Sequence, residues 1–191
     1  MYYYSNIYEG EWKNNKANGY GRYVRSDGSE YKGNWLNGRP HGLGQETLPN
    51  KTKYSGEFYH SVKQGKGCII WPTGASYIGG FEQNRLSGYG EYKYDNGNTY
   101  KGEWRNNLMH GEGIFTWSSG TSLPLSFTSN LTFNKIGARY EGQYENDLKQ
   151  GFGVFYWKDG RTYKGQWYNG KQHGYGLFIS KCTSFFLSKF R

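Results

Sequence analysis

The sequence contains few aliphatic residues and little that would form a conventional hydrophobic core. Leu, Ile, Val and Phe together account for 32 of its 191 residues, and the formal net charge is +9. This combination is typical of disordered chains. The 20 Tyr and 7 Trp residues indicate otherwise, because each ring can bury about 150–250 Å² against a neighbour. We therefore expect the chain to fold on packed aromatic rings instead of an aliphatic core.

Sequence signals for secretion and for crossing a membrane are also missing. The N-terminal MYYYSN lacks the basic start and apolar run of a signal peptide, and no 18-residue apolar stretch is present to span a bilayer. Two cysteines, Cys68 and Cys182, lie in unrelated contexts, and we interpret both as free thiols in a reducing compartment. These features predict a cytoplasmic or cytoskeletal protein.

One motif recurs along the chain at a nearly constant spacing. A Tyr-x-Gly-x-aromatic sequence occurs seven times, and successive copies start 23 residues apart except before the sixth, where the step is 40. A Gly-x-Gly pair follows each copy, and a fixed period in this range indicates a repeat array. The longer step indicates one insertion. The copies start at Tyr8, Tyr31, Tyr54, Tyr77, Tyr100, Tyr140 and Tyr163.

Each repeat has the sequence features of two short antiparallel strands. Apolar positions alternate with a period of two, and Gly is too frequent for helices. The aromatic residue of the motif is followed by pairs such as Asn37-Gly38, which tolerate the positive φ angles of a two-residue hairpin turn. Counting outward from this turn predicts that Trp35 pairs with Pro40 and that Gly33 pairs with Gly42.

A second turn joins consecutive repeats and contains Ser26-Asp27-Gly28 or an equivalent sequence. A three-residue loop with Gly28 in the left-handed region keeps the tyrosines of successive repeats on one face of the sheet. This register places Tyr23 opposite Tyr31. The aromatic rings of the seven hairpins then form a continuous stripe on that face.

The combined pattern is Tyr-x-Gly-x-Trp followed by Asn-Gly, His-Gly-x-Gly and Asp-Gly within 23 residues, and it resembles the MORN repeat. The resemblance implies an all-β fold, an elongated single-layer twisted antiparallel sheet built from seven 23-residue MORN β-hairpin repeats. Four copies carry the Trp of the family motif and three replace it with another ring. The four are Trp12, Trp35, Trp104 and Trp167, and the replacements are Phe58, Phe81 and Tyr144.

The repeat register divides the chain into five segments. Residues 1–7 are interpreted as a partial repeat or N-terminal cap, 8–120 as repeats one to five, 121–137 as a hairpin-like insertion, 138–179 as repeats six and seven, and 180–191 as a C-terminal tail. An interrupted array is also found in radial-spoke-head MORN proteins. The resemblance therefore implies a ciliary, axonemal or other cytoskeletal setting.

The motifs that resemble catalytic or metal sites are interpreted as structural. His41, His110 and His173 recur at one repeat position, and strand spacing separates His41 from His110 by about 28 Å, too far to share a metal. The Gly-x-Gly pairs lack the third glycine and the helix of a phosphate-binding loop. We expect no catalytic site, cofactor or metal, and we interpret the histidines as cross-strand partners of Asn34, Glu103 and Gln166.

The aromatic stripe is the first candidate binding surface. A one-layer sheet leaves such a stripe incompletely covered, and a large exposed apolar patch usually binds a partner. We expect a non-enzymatic scaffold that docks a cytoskeletal or ciliary protein there. A nucleic-acid partner is not expected, and a homodimer or larger assembly stays open. The candidate residues are Tyr31, Trp35, Tyr100, Trp104, Tyr163 and Trp167.

The basic surface supports an alternative function. Lys and Arg number 24 against 15 Asp and Glu, and each Lys near an anionic membrane contributes about 1 kcal/mol to binding. The alternative is a phosphoinositide- or membrane-binding module that tethers a membrane junction or a lipid kinase. A solvated face that keeps the sheet soluble is the third interpretation. The candidate lipid contacts are Lys13, Lys16, Lys32, Lys101, Arg105, Lys164 and Lys171.

The last two repeats are predicted to be covered on their second face. In the predicted register Phe152, Val154 and Leu177 point away from the aromatic stripe, where earlier repeats place Arg22 or Gln45. Burying each of these apolar side chains is worth about 1.5–3 kcal/mol. We therefore expect the tail or the insertion to fold over this face.

Overall fold

The computed structural model describes residues 6–119 and 136–180, together with the backbone of a strand over 185–190. The regular elements in these ranges are β-strands. No helix with the length and hydropathy needed to cross a bilayer occurs in them. The chain divides into two compact units, residues 1–90 and 91–191.

Antiparallel hairpins build both units. In each unit the hydrogen-bonded neighbours of a strand are the strands next to it in the chain. The predicted all-β fold of seven antiparallel hairpins is therefore confirmed. The first unit contains β1 (Ile7–Lys13), β2 (Lys16–Val24), β3 (Glu30–Leu36), β4 (Arg39–Thr47), β5 (Lys53–Tyr59), β6 (Val62–Ile70), β7 (Ser76–Glu82) and most of β8 (Arg85–Lys93). The second contains β9 (Thr99–Arg105), β10 (Leu108–Ser118), β11 (Ile136–Glu145), β12 (Leu148–Tyr156), β13 (Thr162–Tyr168), β14 (Lys171–Ile179) and β15 (Phe185–Phe190).

The turn within each hairpin has the predicted geometry. Its two residues both have positive φ angles, for example 51° at Asn37 and 81° at Gly38. His60 and Ser61 adopt φ angles of 46° and 73° at the same repeat position, although the left-handed region is uncommon for such residues. The twist of the flanking strands therefore imposes this turn even where the sequence is not Asn-Gly.

The turn between hairpins is the predicted three-residue loop. Gly28 has a φ of 80°, and its N–H donates to the carbonyl of Arg25 over 2.9 Å. The N–H of Arg25 in turn donates to the carbonyl of Ser29 over 2.9 Å. Tyr23 pairs with Tyr31, as predicted from this loop.

The predicted register within the hairpin is correct near the turn and wrong beyond it. Trp35 pairs with Pro40 as expected, but Gly33 pairs with Gly44 instead of Gly42, because a β-bulge interrupts the ladder. Gly42 lies in the bulge with a φ of 81°, and such a left-handed residue lets one strand carry extra residues. The extra length is two residues, so side chains beyond the bulge keep the predicted faces.

A side chain from the facing strand closes the bulge in several hairpins. Glu57 Oε1 accepts a hydrogen bond from the backbone N–H of Lys66 at 2.9 Å, and Gln166 Oε1 accepts one from Tyr175 at 3.1 Å. Both acceptors come from the residue before the second ring of the motif. The predicted cross-strand pairing of this residue with the repeated histidine is confirmed for Glu103 with His110 and for Gln166 with His173. Asn34 lies where the register shifts, and the ladder does not pair it with His41.

From the second repeat onward, the first tyrosine of the motif forms the core together with the second ring, whereas Trp12 of the first repeat is 63% exposed. Tyr100 donates from its hydroxyl to the carbonyl of Glu103 over 3.0 Å, and its ring occupies the space where a Cβ on Gly113 would lie. The ring meets Trp104 edge-to-face at 5.1 Å and Tyr144 of the following hairpin at 5.3 Å. Edge-to-face contacts of this kind repeat along each unit, so aromatic rings supply the core as predicted.

The prediction that the tail covers the second face of the last repeats is wrong. The tail forms β15, which pairs edge-on with β14 in the plane of the sheet. Phe152 and Tyr175 are 51% and 64% exposed, and Val154 and Leu177 are half-buried. A strand in the plane satisfies the backbone hydrogen bonds of β14, which a covering segment would leave unpaired. Most of the predicted insertion, residues 121–135, lies outside the described residues.

Candidate functional site

The six aromatic residues predicted to dock a partner are buried. Tyr100 and Tyr163 have no exposed surface, and Trp104 and Trp167 are 6% exposed. Tyr31 and Trp35 are equally enclosed. The premise that this stripe is incompletely covered is therefore wrong, because each ring is wrapped by the rings of its own and the adjacent hairpin. A direct role of these residues in partner binding stays a prediction.

A second row of rings lies beside the core in the second unit, and we call it the ring ladder. Its members are half-buried. They contact one another in sequence, with centroid distances from 4.5 Å between Phe115 and Trp117 to 5.7 Å between Trp157 and Phe178. The ladder therefore forms a continuous aromatic surface. It consists of Tyr92, Tyr94, Phe115, Trp117, Phe155, Trp157 and Phe178.

The repeat places the ladder residues two and four positions after the Gly-x-Gly pair. In the first unit the same positions hold Tyr23 and Arg25, Glu46 and Leu48, and Ile69 and Trp71. A ladder of rings is thus confined to the second unit among the described repeats. The alternation of rings in GIFTW and GVFYW is the sequence signal that would have identified it, but the periodic motif tyrosines are more conspicuous.

Two core tryptophans contact rings of the ladder. Tyr92 contacts Trp104 at 5.9 Å, and Phe155 contacts Trp167 at 6.1 Å. The indole N–H of Trp167 donates to the carbonyl of Gly153 over 3.2 Å, which fixes the ring plane. The predicted candidates Trp104 and Trp167 therefore support the accessible surface, although they are not part of it.

Lys149 places an ammonium group among four rings at this surface. Its Nζ lies 5.1 Å from the centroid of Trp167, 5.2 Å from Phe155, 5.3 Å from Trp117 and 5.4 Å from Tyr140. Within the described residues it makes no ion pair with a carboxylate. Burial lowers the pKa of Lys149, since a cation removed from water is destabilised. Cation–π contacts offset part of this cost.

The predicted lipid-contact residues are exposed, as a basic surface requires. Most have no ion-pair partner in the described part of the chain, although Lys101 lies 3.0 Å from Glu91. Their contact with lipid stays a prediction. The exposed set is Lys13, Lys16, Lys32, Lys101, Arg105, Lys164 and Lys171.

The histidines do not assemble a metal centre in the described residues. The rings of His41 and His60 lie close together, with their centroids 4.9 Å apart. The backbone N–H of His60 donates a hydrogen bond to the ring Nδ1 of His41 over 3.5 Å. No group of three or more His, Cys, Asp or Glu side chains in this part of the chain is arranged to hold a metal ion. Cys68 is a free thiol, and Cys182 lies outside the described residues.

Solved structures also match the chain. One is the TCP domain of SAS-4 (dCPAP) of Drosophila melanogaster in complex with a proline-rich motif of Ana2 (dSTIL), with a TM-score of 0.51 and 10% identity over 95% of this chain and 88% of that one. Another is the wild-type TCP10 domain of Danio rerio CPAP in complex with a peptide of Danio rerio STIL, with a TM-score of 0.20 and 11% identity over 97% and 99% of the chains. The likeness to the first is a likeness of fold alone, and a TM-score of 0.20 does not indicate a shared fold with the second.

The family comparison gives a direct result. No curated protein sequence matches the chain. The model of the MORN repeat matches seven segments that start at the seven predicted tyrosines, and together they cover most of the chain. They are residues 8–30, 31–53, 54–76, 77–99, 100–122, 140–160 and 163–181. The chain is therefore a member of the MORN repeat family.

Proposed function

We propose that this protein is a non-enzymatic scaffold that docks an extended segment of a protein partner on the ring ladder, in a ciliary or other cytoskeletal assembly. The docking site is proposed because seven half-buried rings form a continuous row beside the core. Contiguous apolar surface of this kind usually binds a partner. The MORN repeat is a binding module and not an enzyme family, which agrees with this proposal.

A proline-rich segment matches the chemistry of the ladder. Such segments adopt the polyproline II conformation, and proline rings pack well in grooves lined by aromatic side chains. The fold neighbour from Drosophila melanogaster binds a proline-rich motif. Identity with that domain is only 10%, so a proline-rich partner is part of the proposal.

A Trp157→Ala variant tests the docking surface. Trp157 contacts Phe155 and Phe178 in the ladder, and its guanidinium neighbour Arg161 lies 5.6 Å from the ring. Because Trp157 is half-buried and outside the core, the variant should fold and lose the partner. Tyr89→Ala is the matched control, since Tyr89 is 62% exposed and lies outside the ladder. Equal recovery of partners by the wild type and Trp157→Ala in affinity purification would contradict the proposal.

Localisation of the tagged protein tests the assembly. We expect it to concentrate in cilia or on another cytoskeletal structure, and Trp157→Ala to become diffuse. A wild-type protein that is itself diffuse and recovers no stable partner would contradict a cytoskeletal scaffold.

Membrane binding is the alternative, and the exposure of all seven predicted basic residues supports it. This alternative predicts flotation with anionic liposomes at low salt and release at physiological salt, because screening weakens surface electrostatics. Combined Lys32→Gln, Lys101→Gln and Lys164→Gln substitutions should reduce flotation. A protein that does not distinguish anionic from neutral liposomes would exclude this function.

A further inference from the structure

We propose that the Lys149 ammonium is the anchor for a carboxylate of the docked segment, so that the partner is an acidic as well as an extended peptide. This inference rests on the proposed function of the ring ladder and adds the charge of its ligand. Lys63 and Lys149 occupy the same repeat position, and the difference in their surroundings supports this proposal.

Lys63 shows how the chain itself satisfies a lysine at this position. Lys63 and Lys149 are each the second residue after a hairpin turn and face the second ring of their motif. Lys63 Nζ lies 5.1 Å from the Tyr54 ring, and it also lies 2.6 Å from Glu46 Oε2. Both side chains of this ion pair are only 16% exposed. In the first unit, the same chain therefore provides both the rings and the carboxylate.

Among the residues that the structure describes, Lys149 has the surrounding rings but no carboxylate paired with it. The repeat position of Glu46 is occupied by Phe115 in the second unit, and Phe115 belongs to the ladder. Asp147, the carboxylate nearest in sequence, accepts a hydrogen bond from the backbone N–H of Met109 at 2.7 Å. Glu145 alternates with the facing Tyr144 along β11, so that it lies on the other face. Further along the chain, Glu141 lies 3.1 Å from Arg139 and Asp159 lies 2.7 Å from Arg161. A half-buried ammonium without a counter-ion is destabilised, and a carboxylate brought by a ligand would offset that desolvation cost through a charge-assisted hydrogen bond.

The position of Lys149 relative to the ladder selects a peptide ligand. Trp117 and Phe155 are ladder members and also neighbours of the ammonium, so one extended segment can cover the rings and bring a carboxylate to the lysine. Ladder rings contact each other at 4.5–5.7 Å in tilted or edge-on pairs. Such packing does not offer the separated flat platforms on which nucleic-acid bases stack.

Peptide titrations test the inference directly. The probes are labelled proline-rich peptides in which a single Glu is moved one position at a time, each paired with the same peptide carrying Gln, and binding to the full chain is followed by fluorescence anisotropy. At one position the Glu peptide should bind about tenfold more tightly than its Gln twin. Lys149→Met should abolish this preference, and Lys149→Arg should retain it. Lys164→Met is the matched control, because Lys164 is exposed and lies in the same unit.

A second measurement does not depend on any variant folding. The four surrounding rings should shift the ε-methylene NMR signals of Lys149, and these signals should move on addition of the preferred Glu peptide more than on addition of its Gln twin. Labelled poly(U), tested in the same way, should bind more weakly than the Glu peptide.

The outcomes separate this inference from the function on which it rests. If the peptides bind but Glu and Gln twins are equal at every position, or if the preference survives in Lys149→Met, the acidic anchor is wrong while docking on the ladder stands. If no peptide binds, both are wrong. Tighter binding of poly(U) than of every Glu peptide would replace the acidic peptide with a nucleic acid and overturn the inference.

Discussion

Single glycines determine whether the tyrosine core can form. The ring of Tyr100 lies over Gly102 and Gly113, which face each other across β9 and β10. A methyl group on Gly113 would overlap the ring carbons and hydroxyl of Tyr100. The absence of a side chain at these two glycines is therefore as important to the packing as the tyrosine ring itself.

Gly113→Ala is predicted to destabilise the fold by about 1–3 kcal/mol, because an overfilled core must move a ring or the backbone. Gly113 does not have a left-handed φ, so the effect is steric. Urea denaturation followed by Trp fluorescence measures it. Glu112→Ala, at the exposed neighbouring position, should change the free energy of unfolding by less than about 0.5 kcal/mol. A Gly113→Ala protein as stable as Glu112→Ala would contradict this account of the core.

Alkaline pH is predicted to unfold the protein by ionising Tyr77 of the core and Tyr94 of the ring ladder. Burial raises the pKa of Tyr77 to about 12 and of Tyr94 to about 12, from 10.0. A raised pKa in the folded state stabilises the fold fully below the unfolded pKa, and this contribution is lost as pH rises from about 10 to 12. Circular dichroism and tyrosinate absorbance should therefore change together in this range. Full tyrosine ionisation below pH 10 with the fold intact would contradict the prediction.

Within one hairpin, strand pairing can be predicted from the sequence between the turn and the β-bulge, and it cannot be predicted beyond the bulge. The turn at Asn37-Gly38 and the pairing of Trp35 with Pro40 follow from local turn chemistry. The pairing of Gly33 with Gly44 does not, because it depends on the left-handed φ of Gly42 and on a contact with the facing strand. Counting residues outward from a turn therefore does not predict the cross-strand partners of residues that lie beyond the bulge.

Glu57→Ala is predicted to destabilise the bulge of its hairpin by about 1 kcal/mol, since it removes the acceptor for the Lys66 N–H. Glu57→Gln should be nearly neutral, because Gln143 and Gln166 perform the same role in later repeats. Hydrogen exchange at the Lys66 amide should accelerate in the Ala variant and not in the Gln variant. Equal exchange in all three proteins would show that the side chain does not close the bulge.

On the largest scale, the C-terminal strand forms an edge of the sheet in the second unit. β15 pairs with β14 from Gly174 to Ile179. Exposed sheet edges bind other strands and promote aggregation. The tail therefore protects the edge of the last repeat, while Phe152 of the sixth repeat and Tyr175 of the seventh stay exposed.

Ending the chain at Ser180 is predicted to open this edge. Backbone amides of β14 that β15 protects should exchange faster with solvent, and the truncated protein should self-associate, as size-exclusion chromatography can detect. Exchange in β9 should be unchanged. Unaltered exchange throughout β14 would show that β15 does not pair with it in solution.

The repeat, the number of hairpins, both turn types and the aromatic character of the core could all be predicted from the amino-acid sequence. These properties depend on the φ preferences of single residues and on the 23-residue period of the motif. Tertiary structure decided the two-residue bulge, the burial of Tyr100 and Trp104, the edge pairing of β15, and the ring environment of Lys149. Each of these depends on which side chains meet across neighbouring strands, and spacing along one strand does not contain that information.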